Sequence, residues 1–224
     1  MRRTPKTPVT TFLIVVNLLA FAWEFVKLGP GVLSGDFTEQ GLVQIGTIAP
    51  GLVLQGGQWW RVVTGGFVHL SFLHIAVNMY SLYVLGRFVE AIAGSTRMAI
   101  LYAISLVGSG LAVVYFSDPV SYSAGASGAI FGMFGALFAI GFKLGKPGME
   151  LAKANIGILI VNLIFTFAVP GISKWAHVGG LLIGFLATYA IFFPPRAAHA
   201  TIVDAATGQE LPSEIESPDH HQTF

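Results

Sequence analysis

Two side chains in this sequence are of the types needed for acyl transfer. One is Ser127, framed by Gly125 and Gly128; the other is His177, followed by Gly180 and Gly184. A serine hydroxyl in contact with an imidazole is an activated nucleophile. The ring takes the hydroxyl proton as the oxygen attacks a carbonyl, then delivers it to the leaving amine. The attack creates an oxyanion that needs fixed donors, and removing one such donor typically costs about 10²–10³ in rate. His74 and Asn78 are four residues apart, which puts them on one helix face as candidate donors. The Ser127 N–H is a third if that residue opens a helix, because the first N–H groups of a helix have no internal partner. No Asp or Glu is expected at the depth of these residues to orient His177, so a dyad is expected rather than a triad. Each residue also has a plainer role open to it. Ser127 can serve as packing glue, His177 as a cross-helix hydrogen bond, and His74 with Asn78 as a structural polar network. The elements that carry them decide between the two.

Those elements are membrane spans. The chain has 224 residues, 54% hydrophobic and 10% charged, with mean hydropathy +0.73. A soluble domain carries roughly 25% charged residues, so the expected class is an all-α polytopic membrane protein. The net charge of +1 says nothing about nucleic acid, and no basic run suggests it as a partner. The absence of cysteine excludes thiol catalysis and disulfides. Crossing the hydrocarbon core takes about 20 apolar residues. Six stretches approach that: residues 9–26, then stretches within 62–86, 98–117, 123–142, 154–173 and 175–193. They form a core of residues 9–193 between a short N-terminus, 1–8, and a polar, acidic tail, 194–224, which is expected to be disordered. A metal site is not expected; His220-His221 in the tail is too sparse a pair. The first connection, residues 27–61, is long and amphipathic, and suits the outer interface or an ordinary structured loop. Trp59 and Trp60 would sit at that interface.

Orientation follows from basic residues. With six spans and the N-terminus inside, Arg2, Arg3, Lys6, Arg87, Arg97, Lys143, Lys146, Lys153 and Arg196 fall inside, and Lys27, Arg61 and Lys174 outside. Both termini are therefore expected in the cytoplasm. A cleavable signal ending at Ala20-Phe21-Ala22 is the rival for the first span, but the apolar character continues to Trp23, Phe25 and Val26. In this arrangement spans two, four and six all run inward. His69, His74, Asn78, Ser127 and His177 then share one depth, in the outer leaflet, and intramembrane polar residues are functional candidates by default. Gly128, Gly132 and Gly135 form a smooth stripe on span four, and His177, Gly180 and Gly184 form another on span six. Such stripes let two helices approach closely, which would bring Ser127 to His177.

These residues resemble the rhomboid intramembrane serine proteases. The nucleophile motif Gly-x-Ser-Gly matches Gly125-Ala126-Ser127-Gly128. The last-span motif Ala-His-x-x-Gly-x-x-x-Gly matches Ala176, His177, Gly180 and Gly184. His-x-x-x-Asn matches His74 and Asn78, with His69 at the other familiar histidine position. Trp60-Arg61 matches the pair closing the first loop, and Gly86 with Glu90 matches the end of span two. The resemblance implies a six-transmembrane-helix rhomboid-like bundle enclosing a water-filled cavity. It implies Ser127 as nucleophile and His177 as base, with His74, Asn78 and the Ser127 N–H stabilising the oxyanion. It requires no cofactor. It further implies a first loop lying sideways in the outer leaflet, and single-span membrane proteins as substrates. These would be cut in or near the span, with a small residue before the scissile bond and helix-weakening residues after it. The short termini and lack of cysteine point to a prokaryotic plasma membrane, with the site opening outward. Nothing in the sequence speaks to oligomeric state.

One position departs from the pattern: many rhomboids carry tyrosine where this chain has Phe131, which keeps a ring to stack on His177 and loses the hydroxyl. Two other functions compete. A non-catalytic rhomboid-like binder usually lacks the serine or histidine, and both are present. A proton relay through His69, His74 and His177 would want carboxylates on the helices carrying those histidines. His69 is read as supporting the loop or hydrating the cavity, Glu90 as structural, and Trp60 and Arg61 as anchoring the loop to the interface.

Overall fold

The computed structural model describes residues 6–192 together with residues 202–203 and 210–211. The described core is helical: α1 (Pro8–Leu28), four short helices α2 (Gly31–Ser34), α3 (Glu39–Gln44), α4 (Pro50–Leu54) and α5 (Arg61–Thr64), then α6 (Phe72–Ser81). A π-helical turn, Leu82–Gly86, joins α6 to α7 (Arg87–Ala93); α8 (Ser95–Phe116), α9 (Ser127–Lys143), α10 (Lys146–Ala168) and α11 (Lys174–Ile191) follow. Five stretches among the described residues are helices long and apolar enough to cross a membrane: Pro8–Leu28, Phe72–Ala93, Ser95–Phe116, Gly148–Ala168 and Lys174–Ile191. The sixth apolar helix, Ser127–Lys143, has 17 residues. At 1.5 Å per residue it is about 26 Å long, short of the roughly 30 Å hydrocarbon core.

Its burial explains that length. Gly128, Phe131, Met133, Leu137, Ala139 and Ile140 point in different directions around α9, and all are buried. A helix apolar and buried all round is a core element. Here α9 is enclosed by α8, α10 and α11. The outer helices instead expose apolar side chains such as Phe12, Leu19, Leu73, Phe167 and Leu186, the surface a lipid environment favours.

The second span, Phe72–Ala93, starts inside the expected stretch of residues 62–86 and runs seven residues past its end. Ser71 sets the boundary: its hydroxyl accepts the N–H of His74 at 3.1 Å, an N-cap. The connection from α1 therefore runs to residue 71, beyond the expected end at 61. Val62 and Val68 are buried against protein, so their apolar character does not report lipid. Arg61 is 2% exposed, its guanidinium donating to the carbonyls of Thr47 and Val43 at 3.0 Å each and its Nε–H to Gln58 Oε1 at 2.7 Å. It ties the loop to itself, stacked over the half-exposed Trp60 ring at 4.4 Å.

At the opposite end, buried Glu90 ties the first two spans. Its carboxylate accepts from the N–H groups of Val9 and Thr10, the Thr10 hydroxyl and the Ser95 hydroxyl. The expected disordered tail and its His220-His221 lie outside the described residues, apart from two short strands, β1 (Ile202–Val203) and β2 (Glu210–Leu211), paired antiparallel.

Candidate active site

Ser127 is the first residue of α9, and the chain leading to it is held from two sides. Ile48 and Ser123 exchange backbone hydrogen bonds of 2.8 and 2.9 Å, and the Gly125 N–H donates to the Gly65 carbonyl at 2.8 Å. The first loop thus splints the approach to the serine. Gly125 has φ +119°, a region L side chains rarely adopt, and a Cβ there would lie 2.7 Å from His74 Nε2. Ser123 Oγ also donates to Ser173 Oγ at 3.2 Å, and Ser173 caps α11. The starts of α9 and α11 are thereby joined.

The glycine stripes face each other. A Cβ on Gly180 would overlap the Gly128 carbonyl oxygen, one on Gly184 that of Gly132, and one on Gly135 the Leu181 carbonyl. On its other side α9 meets α8, where Ser109 and Ser105 fill the space beside Gly128 and Gly132. Backbone-to-backbone contact of α9 and α11 brings His177, on the first turn of α11, to the serine: His177 Nε2 is 2.8 Å from Ser127 Oγ. The ring stacks on Phe131 with centroids 4.1 Å apart and planes 12° apart. The pair is 50 residues apart in sequence, and His177 is buried.

His74 lies across from Gly125. The Leu70 N–H donates to its Nδ1 at 3.2 Å. That nitrogen is therefore the acceptor, and a neutral ring carries its hydrogen on Nε2. The Nε2–H points into the space beside Gly125, next to the serine. Asn78 donates one amide hydrogen to the His74 carbonyl at 2.9 Å, which leaves its second N–H for another acceptor.

His69 is not on the helix that carries His74. It sits in the turn before α6, fully buried, its ring 5.1 Å from the His74 ring and its Nδ1 3.0 Å from the Phe67 carbonyl. His69 thus lies outside the second span, which starts at Phe72.

Two residues near this cluster were missed by sequence pattern. Glu24, on α1, is fully buried and takes the His69 N–H at 3.2 and 3.3 Å on its two oxygens. A buried carboxylate within a span is itself a signal, and Glu24 carried that signal. Thr166, on α10, places Oγ1 2.7 Å from His177 Nδ1. Its only sequence cue is Asn162, one turn earlier on the same span.

A family profile described as the rhomboid domain matches residues 56–194. The rhomboid protease GluP of Bacillus subtilis is 38% identical over 166 residues, covering 73% of this chain and 32% of GluP. The putative rhomboid protease YdcA of the same organism is 32% identical over 188 residues, 81% of this chain and 87% of YdcA. The rhomboid protease GlpG of Haemophilus influenzae is 29% identical over 136 residues, 59% of this chain and 69% of GlpG. The chain thus spans about a third of one relative and most of another. The matched region takes in the end of the first loop, the serine, both glycine stripes and His177, and on that breadth of agreement the chain belongs to the rhomboid family.

Proposed function

We propose that this chain is an intramembrane serine endopeptidase in which Ser127 is the nucleophile and His177 the general base. The observation that carries the reading is the 2.8 Å contact between Ser127 Oγ and His177 Nε2. Ser127 Oγ bonds to the substrate carbonyl carbon while its proton passes to His177 Nε2. The negative charge on the carbonyl oxygen is met by the His74 Nε2–H, the Ser127 N–H at the helix start and the second N–H of Asn78. Such preorganised donors are commonly the largest electrostatic contribution to acyl transfer. The C–N bond then breaks as His177 returns the proton to the amine. Water, activated by the same ring, releases the acyl group. Side chains, one backbone N–H and water supply the steps, and the scheme calls on no cofactor.

The proposed substrates are single-span membrane proteins, cut in or near the span. Six crossings with both termini cytoplasmic put Ser127 in the outer leaflet. A central helix of 17 residues suits that placement, because it need not reach both surfaces of the bilayer. The lipid-facing apolar surface of the outer helices supports a bilayer location, proposed as a prokaryotic plasma membrane. The test is cleavage of a single-span reporter in liposomes by wild type, Ser127→Ala and His177→Ala. Cleavage by wild type alone is expected. Equal cleavage by Ser127→Ala would overturn the assignment.

A further inference from the structure

Thr166 has no part in that scheme, yet it touches the other nitrogen of His177. It is buried on α10, and its Oγ1 lies 2.7 Å from His177 Nδ1 and 2.7 Å from the Asn162 carbonyl oxygen one turn earlier. A threonine hydroxyl has one hydrogen to give. The carbonyl can only accept, so that hydrogen lies on the line to Asn162, the usual back-bonding of a helical threonine. Oγ1 then faces His177 with a lone pair, and Nδ1 carries hydrogen. In a neutral ring this leaves Nε2 bare, 2.8 Å from the Ser127 hydroxyl. The four groups form one directed chain: Ser127 O–H to His177 Nε2, His177 Nδ1–H to Thr166 Oγ1, Thr166 O–H to the Asn162 carbonyl.

We infer that Thr166 is a positioning residue that holds His177 in the ring orientation and Nδ1–H tautomer needed to accept the Ser127 proton. This rests on the catalytic reading of Ser127 and His177. The opposite tautomer would turn Nε2–H toward the serine and leave that ring unable to take its proton. It would also require the Thr166 hydroxyl to abandon Asn162. When Ser127 gives up its proton, the ring becomes positive and the Nδ1–H to Thr166 bond becomes charge-assisted, hence stronger. An interaction that strengthens toward the transition state acts on kcat, not on KM. The role usually given to a carboxylate is here met by a neutral hydroxyl whose own hydrogen is committed elsewhere.

The experiment compares wild type, Ser127→Ala, Thr166→Val and Thr166→Ser in reporter-cleavage kinetics, with the rate of fluorophosphonate labelling of Ser127 as a second readout. Thr166→Val is expected to lower kcat about tenfold with KM within about twofold of wild type. Thr166→Ser, which keeps the acceptor oxygen, is expected within about threefold of wild type in kcat. Labelling rates should follow the same order. Wild-type kcat in Thr166→Val, a loss confined to KM, or a Thr166→Ser as slow as Thr166→Val would each overturn the inference while leaving the protease reading intact, provided Ser127→Ala is dead. Full activity of Ser127→Ala would overturn both.

Discussion

Gly180→Ala puts the smallest possible side chain where the structure has none to spare. The added Cβ would overlap the Gly128 carbonyl oxygen and lie 2.8 Å from that carbonyl carbon and 3.3 Å from the Gly128 Cα. All three are backbone atoms of the first turn of α9, so no rotamer change relieves the clash. The helices must part. Carbon–carbon contact is comfortable at about 3.5 Å, so the carbonyl carbon alone demands a shift of about 0.7 Å, and the overlapped oxygen demands more. The affected residue is three positions from His177, and its neighbour is one position from Ser127. A separation of about 1 Å stretches the 2.8 Å Ser127–His177 contact beyond hydrogen-bond range. A misplacement of that size costs about 10²-fold in rate. Overpacking itself costs about 1–3 kcal/mol, a fall in thermal midpoint of about 2–12 °C for a chain of this size. The expected result in liposome cleavage is a kcat near one hundredth of wild type from protein that still unfolds cooperatively. The control is Gly157→Ala on α10, where an added Cβ meets nothing within 4 Å; it should cleave at the wild-type rate. Gly180→Ala at full rate with an unchanged midpoint would mean that the α9–α11 contact does not position the pair.

Other perturbations separate the supports of the site. Gly125→Ala meets both a φ of +119° and His74 Nε2 at 2.7 Å; it should displace His74 and reduce cleavage by about 10²-fold, the loss of one oxyanion donor. Gly57→Ala, at φ +67° with nothing nearby, should leave the rate unchanged, and matching losses in the two would discredit the His74 contact. Phe131→Ala removes the ring stacked on His177 and should lower kcat more than Phe131→Tyr does; equal losses in reporter cleavage would sink the stacking role. Glu90→Ala strips the acceptor from two N–H groups and two hydroxyls and should destabilise the fold by about 1.5–3 kcal/mol. Its kcat per folded molecule should match wild type, and an unshifted thermal midpoint would remove Glu90 from any role in joining the first two spans.

The approach of α9 to α11 was legible because close helix contact leaves a mark on composition: glycines three and four apart on both partners, beside the serine and the histidine. The point within residues 62–86 at which α6 starts was not. Val62 and Val68 look like span residues, and hydropathy cannot distinguish a valine buried in protein from one facing lipid. The break is made instead by a serine cap and by Gly65-Gly66, where an added Cβ would meet Ile48 and Leu106 respectively. The partners of Arg61 were hidden for a related reason: the carbonyls it bonds lie 14 and 18 residues away, which no local pattern encodes. Thr166 was the hardest to see, since threonine on a span is ordinary and nothing local marks its contact with His177 Nδ1.

Contacts legible in the sequence run between the helices that carry the residues, whereas those it hid run across the first loop or from α10. Ser127 is consequently held twice. The glycine contact sets its distance to α11, and the loop, through Ile48 with Ser123 and Gly65 with Gly125, sets the path by which the chain enters α9. The two supports predict different failures. Loosening the helix contact at Gly180 moves His177 relative to Ser127 and should slow fluorophosphonate labelling together with peptide cleavage. Disturbing the loop side at Gly125 moves His74 while leaving the 2.8 Å pair in place. Peptide cleavage, which depends on a fully formed oxyanion site, should then fall further than labelling. If both variants lose the two activities in the same ratio, the loop and the helix contact are one mechanical unit and the distinction between them fails.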